Sequence, residues 1–369
     1  MFSLPLLKLL GSSKVARERL RTARRSVLRR PRLESLEQRA MFAFTSPISF
    51  AVGTNPAGIA VGDYNADGRD DMAVVNNNLA GSVSILISNS DGSFQPKIDY
   101  SAGANSYDAS SGDFNGDGKR DLAVVGAALE ILLGNGDGSF AAPIEFLVVP
   151  GAHSVKVGDF NNDGKLDVGT MNLNSASVFL GNGDGSFQTR LDTVVVGNNI
   201  NLVVGDFNRD GKLDMATSNT TSIGTVSVLR GHGDGSFDPA SSYYAFSAPV
   251  YLASGDFNHD GYDDFVCPNS YSATSMSVLL NNGDGTYGAP HTYGIAQTGY
   301  EIEVADFNND GNDDFAVRGG SQYMVSLGKG DGTFYPSVNF ATPSGRFQAG
   351  THGDFNGDRK STRLNSSHG

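Results

Sequence analysis

Along most of the chain, apolar and polar residues alternate in short runs separated by Gly, Asn, Asp and Ser. Around residue 160 the runs are Ser154-Val-Lys-Val157, Asp167-Val-Gly-Thr-Met171, Ser177-Val-Phe-Leu180 and a looser stretch from Gln188 to Val196. A period of two places alternate side chains on opposite faces of an extended strand, so this stretch predicts four short strands, A to D. Asn-Gly-Asp-Gly between C and D suits a tight hairpin, because Gly, Asn and Asp tolerate positive φ. No helix-length 3.6-residue periodicity interrupts the pattern.

The four-strand unit recurs. Asp-Phe-Asn-x-Asp-Gly-x-x-Asp begins at Asp63 (with Tyr64 for Phe), Asp113, Asp159, Asp206, Asp256 and Asp306, and a seventh copy begins at Asp354 but breaks at Arg359. Successive starts lie 50, 46, 47, 50, 50 and 48 residues apart. A second string, Gly-Asp-Gly-(Ser/Thr)-(Phe/Tyr), ends at Phe140, Phe187, Phe237, Tyr287 and Phe334, with a degraded form at Ser88 to Phe94. Four strands per period, repeated about seven times, is the arithmetic of a β-propeller. The expected fold is therefore all-β, a seven-bladed propeller of four-stranded blades with the last blade truncated. Residues 44–52 match the D-strand region of other units and are expected to supply the outer strand of the last blade.

Composition sharpens this picture. The chain of 369 residues has 27 Lys plus Arg against 40 Asp plus Glu, a net charge of −13. Residues 1–40 hold 11 bases and 3 acids, a net +8, so the remaining 329 residues carry 16 − 37 = −21. Such an acidic body repels phosphate backbones and argues against a nucleic-acid partner. The single cysteine, Cys267, rules out an internal disulfide framework, and no run is long and apolar enough for a spanning helix. The expected domains are a basic export or sorting segment at 1–43, the propeller at 44–358, and a polar tail at 359–369.

The nine-residue string sets hard oxygen donors at alternate positions around a glycine turn, a spacing that selects calcium. The candidate ligands are Asp63, Asn65, Asp67, Arg69 and Asp71; Asp113, Asn115, Asp117, Lys119 and Asp121; Asp159, Asn161, Asp163, Lys165 and Asp167; Asp206, Asn208, Asp210, Lys212 and Asp214; Asp256, Asn258, Asp260, Tyr262 and Asp264; and Asp306, Asn308, Asp310, Asn312 and Asp314. The seventh position varies from Arg to Tyr to Asn and would serve through its carbonyl. About six calcium ions are expected. An EF-hand would need a Glu at position twelve, where this chain has Val74, Val124 or Thr170 within a strand.

These strings, with the literal Tyr287-Gly-Ala-Pro290, resemble the FG-GAP/VCBS repeat family, which includes the N-terminal propeller of integrin α subunits. The resemblance implies calcium in the A–B loops and an extracellular role in adhesion, ligand binding or scaffolding. The segment Leu33-Glu-Ser-Leu-Glu-Gln-Arg39 resembles one at the start of certain large bacterial secreted proteins, which implies a secreted or cell-surface, bacterial setting.

The A–B and C–D turns of an up-and-down blade share one face, leaving the B–C and D–A loops for a ligand. Six residues before each motif Asp stand Ala57, Tyr107, His153, Ile200, Val250, Tyr300 and Gln348, expected at the channel mouth. Tyr107, His153 and Tyr300 are the candidate contacts for a glycan or an extracellular protein. The motif Phe at position two is expected in the inter-blade core, and Cys267 buried in a B strand. No catalytic motif occurs in a matching context, so the expectation is a non-catalytic module. A polysaccharide-acting lyase or hydrolase on the same scaffold is the alternative, since an acid/base pair assembled across blades leaves no local signature.

Overall fold

The computed structural model describes residues 50–220, 223–246, 248–269, 274–320, 322–341, 353–355 and 357. The chain divides into two units, Met1–Ser46 and Pro47–Gly369, and the described residues all belong to the second. They form six four-stranded antiparallel sheets, each with its strands in chain order. Blade 1 is made by Pro56–Gly62, Asp71–Asn76, Ser82–Leu86 and Ile98–Ser101. The innermost strands of blades 2 to 6 are Asp108–Gly112, Ser154–Gly158, Asn199–Gly205, Ala253–Gly255 and Glu301–Ala305.

Burial follows a strand's distance from the axis. The second strand of blade 5, Asp264–Asn269, is buried at every position because both its faces meet other blades, whereas the outermost strand of blade 3, Leu191–Val194, is largely exposed. Cys267 lies in that second strand, fully buried as expected. The core comprises five clusters, each shared by two successive blades. Phe160, Met171, Ala176 and Val178 of blade 3, for example, pack with Val195, Leu202, Met215 and Leu229 of blade 4.

Two contacts recur at the junctions. The carbonyl of the position-two aromatic accepts a bond from the turn glycine of the next blade: Gly138 N to Tyr64 O at 2.9 Å, Gly185 N to Phe114 O at 3.0 Å, Gly235 N to Phe160 O at 3.1 Å and Gly332 N to Phe257 O at 2.8 Å. Between blades 4 and 5, Asn281 Nδ2 donates to Phe207 O instead, at 2.8 Å. The same aromatic meets the turn aromatic of the next blade edge to face, as in Phe114 with Phe187 and Phe257 with Phe334.

The expected seventh blade is corrected: the fold is a six-bladed propeller, and among the described residues the seventh copy contributes no sheet. That copy nevertheless docks as the others do. Phe355 packs edge to face on Phe94 of blade 1, and Asp354 N donates to Asp70 Oδ2 at 2.8 Å, just as Asp256 N donates to Asp313 Oδ2 at 3.0 Å. Its sequence lacks what continues a blade. Arg359 stands where every full loop has a glycine at φ between +80° and +91°, and Thr362 stands where each has the last Asp of the motif. Of the segment expected to close the ring, residues 50–52 form no strand and 44–49 lie outside the described residues; Phe50 packs on Phe94.

Blade 6 differs from the others at its motif aromatic. Phe114, Phe160, Phe207 and Phe257 are enclosed by the following blade, but Phe307 is only half-buried. Phe257→Ala is expected to lower stability by about 3 to 5 kcal/mol in urea unfolding, and Phe307→Ala by less than half as much. Equal losses would mean that Phe307 is as tightly packed as its counterparts.

Candidate functional site

Each A–B loop is built from one set of six bonds. In blade 4, Asp206 Oδ1 accepts from Asp210 N at 3.0 Å and Oδ2 from Gly211 N at 2.8 Å. Asn208 Oδ1 also accepts from Asp210 N, at 2.9 Å, and Asp210 Oδ1 accepts from Lys212 N at 3.0 Å. Asp214 closes the loop, with Oδ2 accepting from Phe207 N at 3.1 Å and Oδ1 from Gly231 N at 2.8 Å. All six bonds recur in the loops of blades 1, 2, 3, 5 and 6.

The donor set of each loop is three carboxylates and one amide oxygen, hard oxygen donors of the kind that calcium takes. The ninth-position Asp differs from the other two. Asp71, Asp121, Asp167, Asp214, Asp264 and Asp314 are fully buried and tie their loop to the C–D turn of the same blade, a structural role that motif spacing alone does not reveal. Burial raises their carboxyl pKa values against the two backbone donors, and the other acids of the loop add to the rise. Asp167 and Asp214 reach about 6, Asp264 and Asp314 about 7. Position seven is a cation in the first four loops, and in three of them it faces a carboxylate of its own loop: Arg69 pairs with Asp67, Lys119 with Asp117 at 3.3 Å and Lys165 with Asp163 at 3.8 Å. Tyr262 and Asn312 bring none.

A cavity of about 840 Å³ lies among the six innermost strands, all of which contribute to its wall. The expected mouth residues Ala57, Tyr107 and His153 line it; Tyr300 does not. Tyr300 is 44% exposed and lies under the Arg318 guanidinium, 5.5 Å from the ring centroid. Both ring nitrogens of His153 face carbonyl oxygens, Gly151 O at 2.7 Å and Asn199 O at 2.9 Å. Gln348 lies outside the described residues.

The chemically richer ring stands one residue further along each strand: Gly58, Asp108, Ser154, Asn201, Tyr251 and Glu301 all line the cavity. Strand alternation connects the two rings, since neighbouring residues point to opposite sides. Three of these polar groups staple one blade to the next. Asp108 Oδ2 accepts from Val155 N at 3.1 Å, Ser154 Oγ from Leu202 N at 3.3 Å and Asn201 Oδ1 from Leu252 N at 3.2 Å. Asp108 also faces Lys156 Nζ at 3.6 Å, while Glu301 Oε2 faces Arg318 Nε at 3.5 Å.

Residues 63–124, 113–170 and 256–317 match the FG-GAP-like repeat. These three stretches are FG-GAP-like repeats. No curated protein matches the chain. Among solved structures, this FG-GAP propeller is similar to an Agrocybe aegerita lectin that recognises non-reducing terminal N-acetylglucosamine, at 19% identity over 81% of this chain and 84% of that one, with a TM-score of 0.56. It is also similar to a periplasmic gluconolactonase of Pseudomonas aeruginosa, at 16% identity over 82% and 90% of the two chains, with a TM-score of 0.59. At such identities the likeness extends to the fold alone. A propeller of FG-GAP repeats fits a binding or scaffold module.

Two outcomes follow from the loop geometry. A carboxyl whose folded pKa is raised contributes stability that is full below its unfolded value and lost as pH rises through the folded one. In chelator, melting temperature is therefore expected to fall as pH rises from 5 through 6 and 7, the window of Asp167, Asp214, Asp264 and Asp314, and a rise over that window in thermal melts would contradict the assignment. The fourth loop position has positive φ in all six copies, and in the first it is Ala66 at +58°. Ala66→Gly is expected to stabilise the fold by about 1 kcal/mol, measured by urea unfolding.

Proposed function

We propose that the protein is a non-catalytic, extracellular calcium-binding propeller that acts as a binding or scaffold module, with calcium in the A–B loops and a ligand on the opposite face. The observation that carries this reading is the repetition of one loop geometry six times, each copy gathering a half-buried carboxylate, an exposed carboxylate, an amide oxygen and a buried carboxylate. Ordinary Asp-rich surface turns have no reason to agree in all six hydrogen bonds. In the loop of blade 5 the ion would be held by Asp256, Asn258, Asp260, Asp264 and the carbonyl of Tyr262, and it would neutralise carboxylates that otherwise repel one another. The fold shared with a lectin supports a glycan as the ligand class, with Tyr107, His153 and Tyr300 as candidate contacts at the channel mouth. Secretion or display at a bacterial surface supplies the millimolar calcium that weak sites of this kind need.

A site with a Kd of about 10⁻⁴ M adds about 1.4 kcal/mol in millimolar calcium. Calorimetric titration of the full chain is expected to find about six sites, the loops with Tyr262 and Asn312 filling before those in which Arg69, Lys119 or Lys165 faces a ligand carboxylate. Melting temperature is expected to rise with calcium. Identical melts in calcium and in chelator would overturn the reading.

A further inference from the structure

The axial cavity has two unlike arcs. On one, Asp108, Ser154 and Asn201 accept bonds from the inner strand of the next blade, so their oxygens are engaged in holding the ring together. On the other, Tyr251, Glu301 and Glu303 line the wall. The Tyr251 hydroxyl makes no hydrogen bond among the described residues. Burial, with Glu301 and Asp108 nearby, pushes this phenol up to about 12, so it remains a neutral O–H donor. Glu301 and Glu303 stand two residues apart on one strand and so point to the same side. Small residues at Gly58, Ser110, Ala253 and Ser254 leave the space between the arcs clear.

We propose that this cavity, through Tyr251 and Glu303 with Glu301 behind them, is the binding site for a neutral saccharide of one or two rings. The proposal rests on the binding-module reading above and moves the ligand from the rim into the channel. The volume lies within the range of small-ligand sites. Three carboxylates, Asp108, Glu301 and Glu303, line the cavity; Lys156 lies beside Asp108 and Arg318 beside Glu301, which leaves the lining with an excess of one negative charge at Glu303. That balance repels aldonates and sugar phosphates and favours a ligand that donates hydroxyl protons to carboxylate oxygens. A tyrosine adds a flat apolar surface and a hydroxyl donor in one group.

The test screens the full chain on an array of neutral glycans that includes terminal N-acetylglucosamine, then titrates the best neutral hit by calorimetry beside gluconate and glucose 6-phosphate. Binding of the neutral sugar and none of the two anions is expected. Tyr251→Phe and Glu303→Gln are each expected to weaken it about tenfold at unchanged melting temperature, while Tyr244→Ala, on the exposed outer strand of blade 4, leaves it unaltered. Glu303→Lys is expected to admit gluconate. Absence of any neutral hit overturns the proposal, as does binding that survives both cavity substitutions or disappears with Tyr244→Ala. Because calcium occupancy is measured separately, six filled loops without saccharide binding would remove this proposal and leave the calcium reading intact, whereas saccharide binding without calcium would do the reverse.

Discussion

The ninth-position aspartate is the contact on which each blade depends. One buried carboxylate takes a backbone N–H from the start of its own loop and another from the C–D turn 13 to 17 residues further on, so two turns that share no sequence neighbours are fixed by one side chain. An asparagine could not replace it, because its single carbonyl oxygen cannot accept along both directions. Burying a carboxylate is costly unless its oxygens are satisfied, and here burial still outweighs the two donors, leaving the pKa raised. The strain is local to the loop, since the remaining rise comes from the loop's own acids. A cation placed among those acids would relieve it.

From this staple the ring is assembled outward. Once the A–B loop is fixed, its position-two aromatic and carbonyl face the next blade's glycine turn, and the junction repeats with few changes. In blade 5, where Asn281 stands at the position of Gly134 and Gly181, the Asn281 side chain is inserted into the junction: its amide donates to Phe207 O, and its Oδ1 takes the bond from the turn glycine Gly285. In the seventh copy, Asp354 and Phe355 keep the junction to blade 1, while the sequence has Thr362, with no carboxylate, at the position of the staple, and the described residues hold no seventh sheet. Docking and blade formation are thus separable, the first residing at the start of the motif and the second at its end.

The same distinction explains what could be foreseen from the chain. Strand type, unit length and the burial of Phe114, Phe160, Phe207 and Phe257 follow from period-two alternation and from the repeat, because both are local patterns. The blade number does not follow from counting motif starts, since a start guarantees only a junction. The inner polar ring was displaced by one residue for a related reason. Tyr107, His153 and Tyr300 attract notice as aromatic groups at equivalent positions, but Asp108, Tyr251 and Glu301 stand one place further on and Glu303 three, and the cavity takes in residues from both positions. Which arc of that ring is engaged in stapling depends on the neighbouring blade's backbone N–H groups, and no single unit contains that information.

The acidic excess of the body is divided between two regions that act almost independently. Glu303 and Asp306 are separated by three strand residues, about 10 Å, which already exceeds the screening length of roughly 8 Å at physiological salt. A cation bound in a loop therefore leaves the charge felt inside the channel nearly unchanged, and the preference of the cavity for neutral over anionic ligands is set by its own lining. What links the regions is mechanical. Each cavity-lining strand runs straight into a loop, as Glu301–Ala305 runs into Asp306, so fixing the loop fixes the end of the strand that presents Glu301 and Glu303. Loop occupancy would accordingly alter how firmly a ligand is held, through the order of the inner strands, without altering which ligand is chosen.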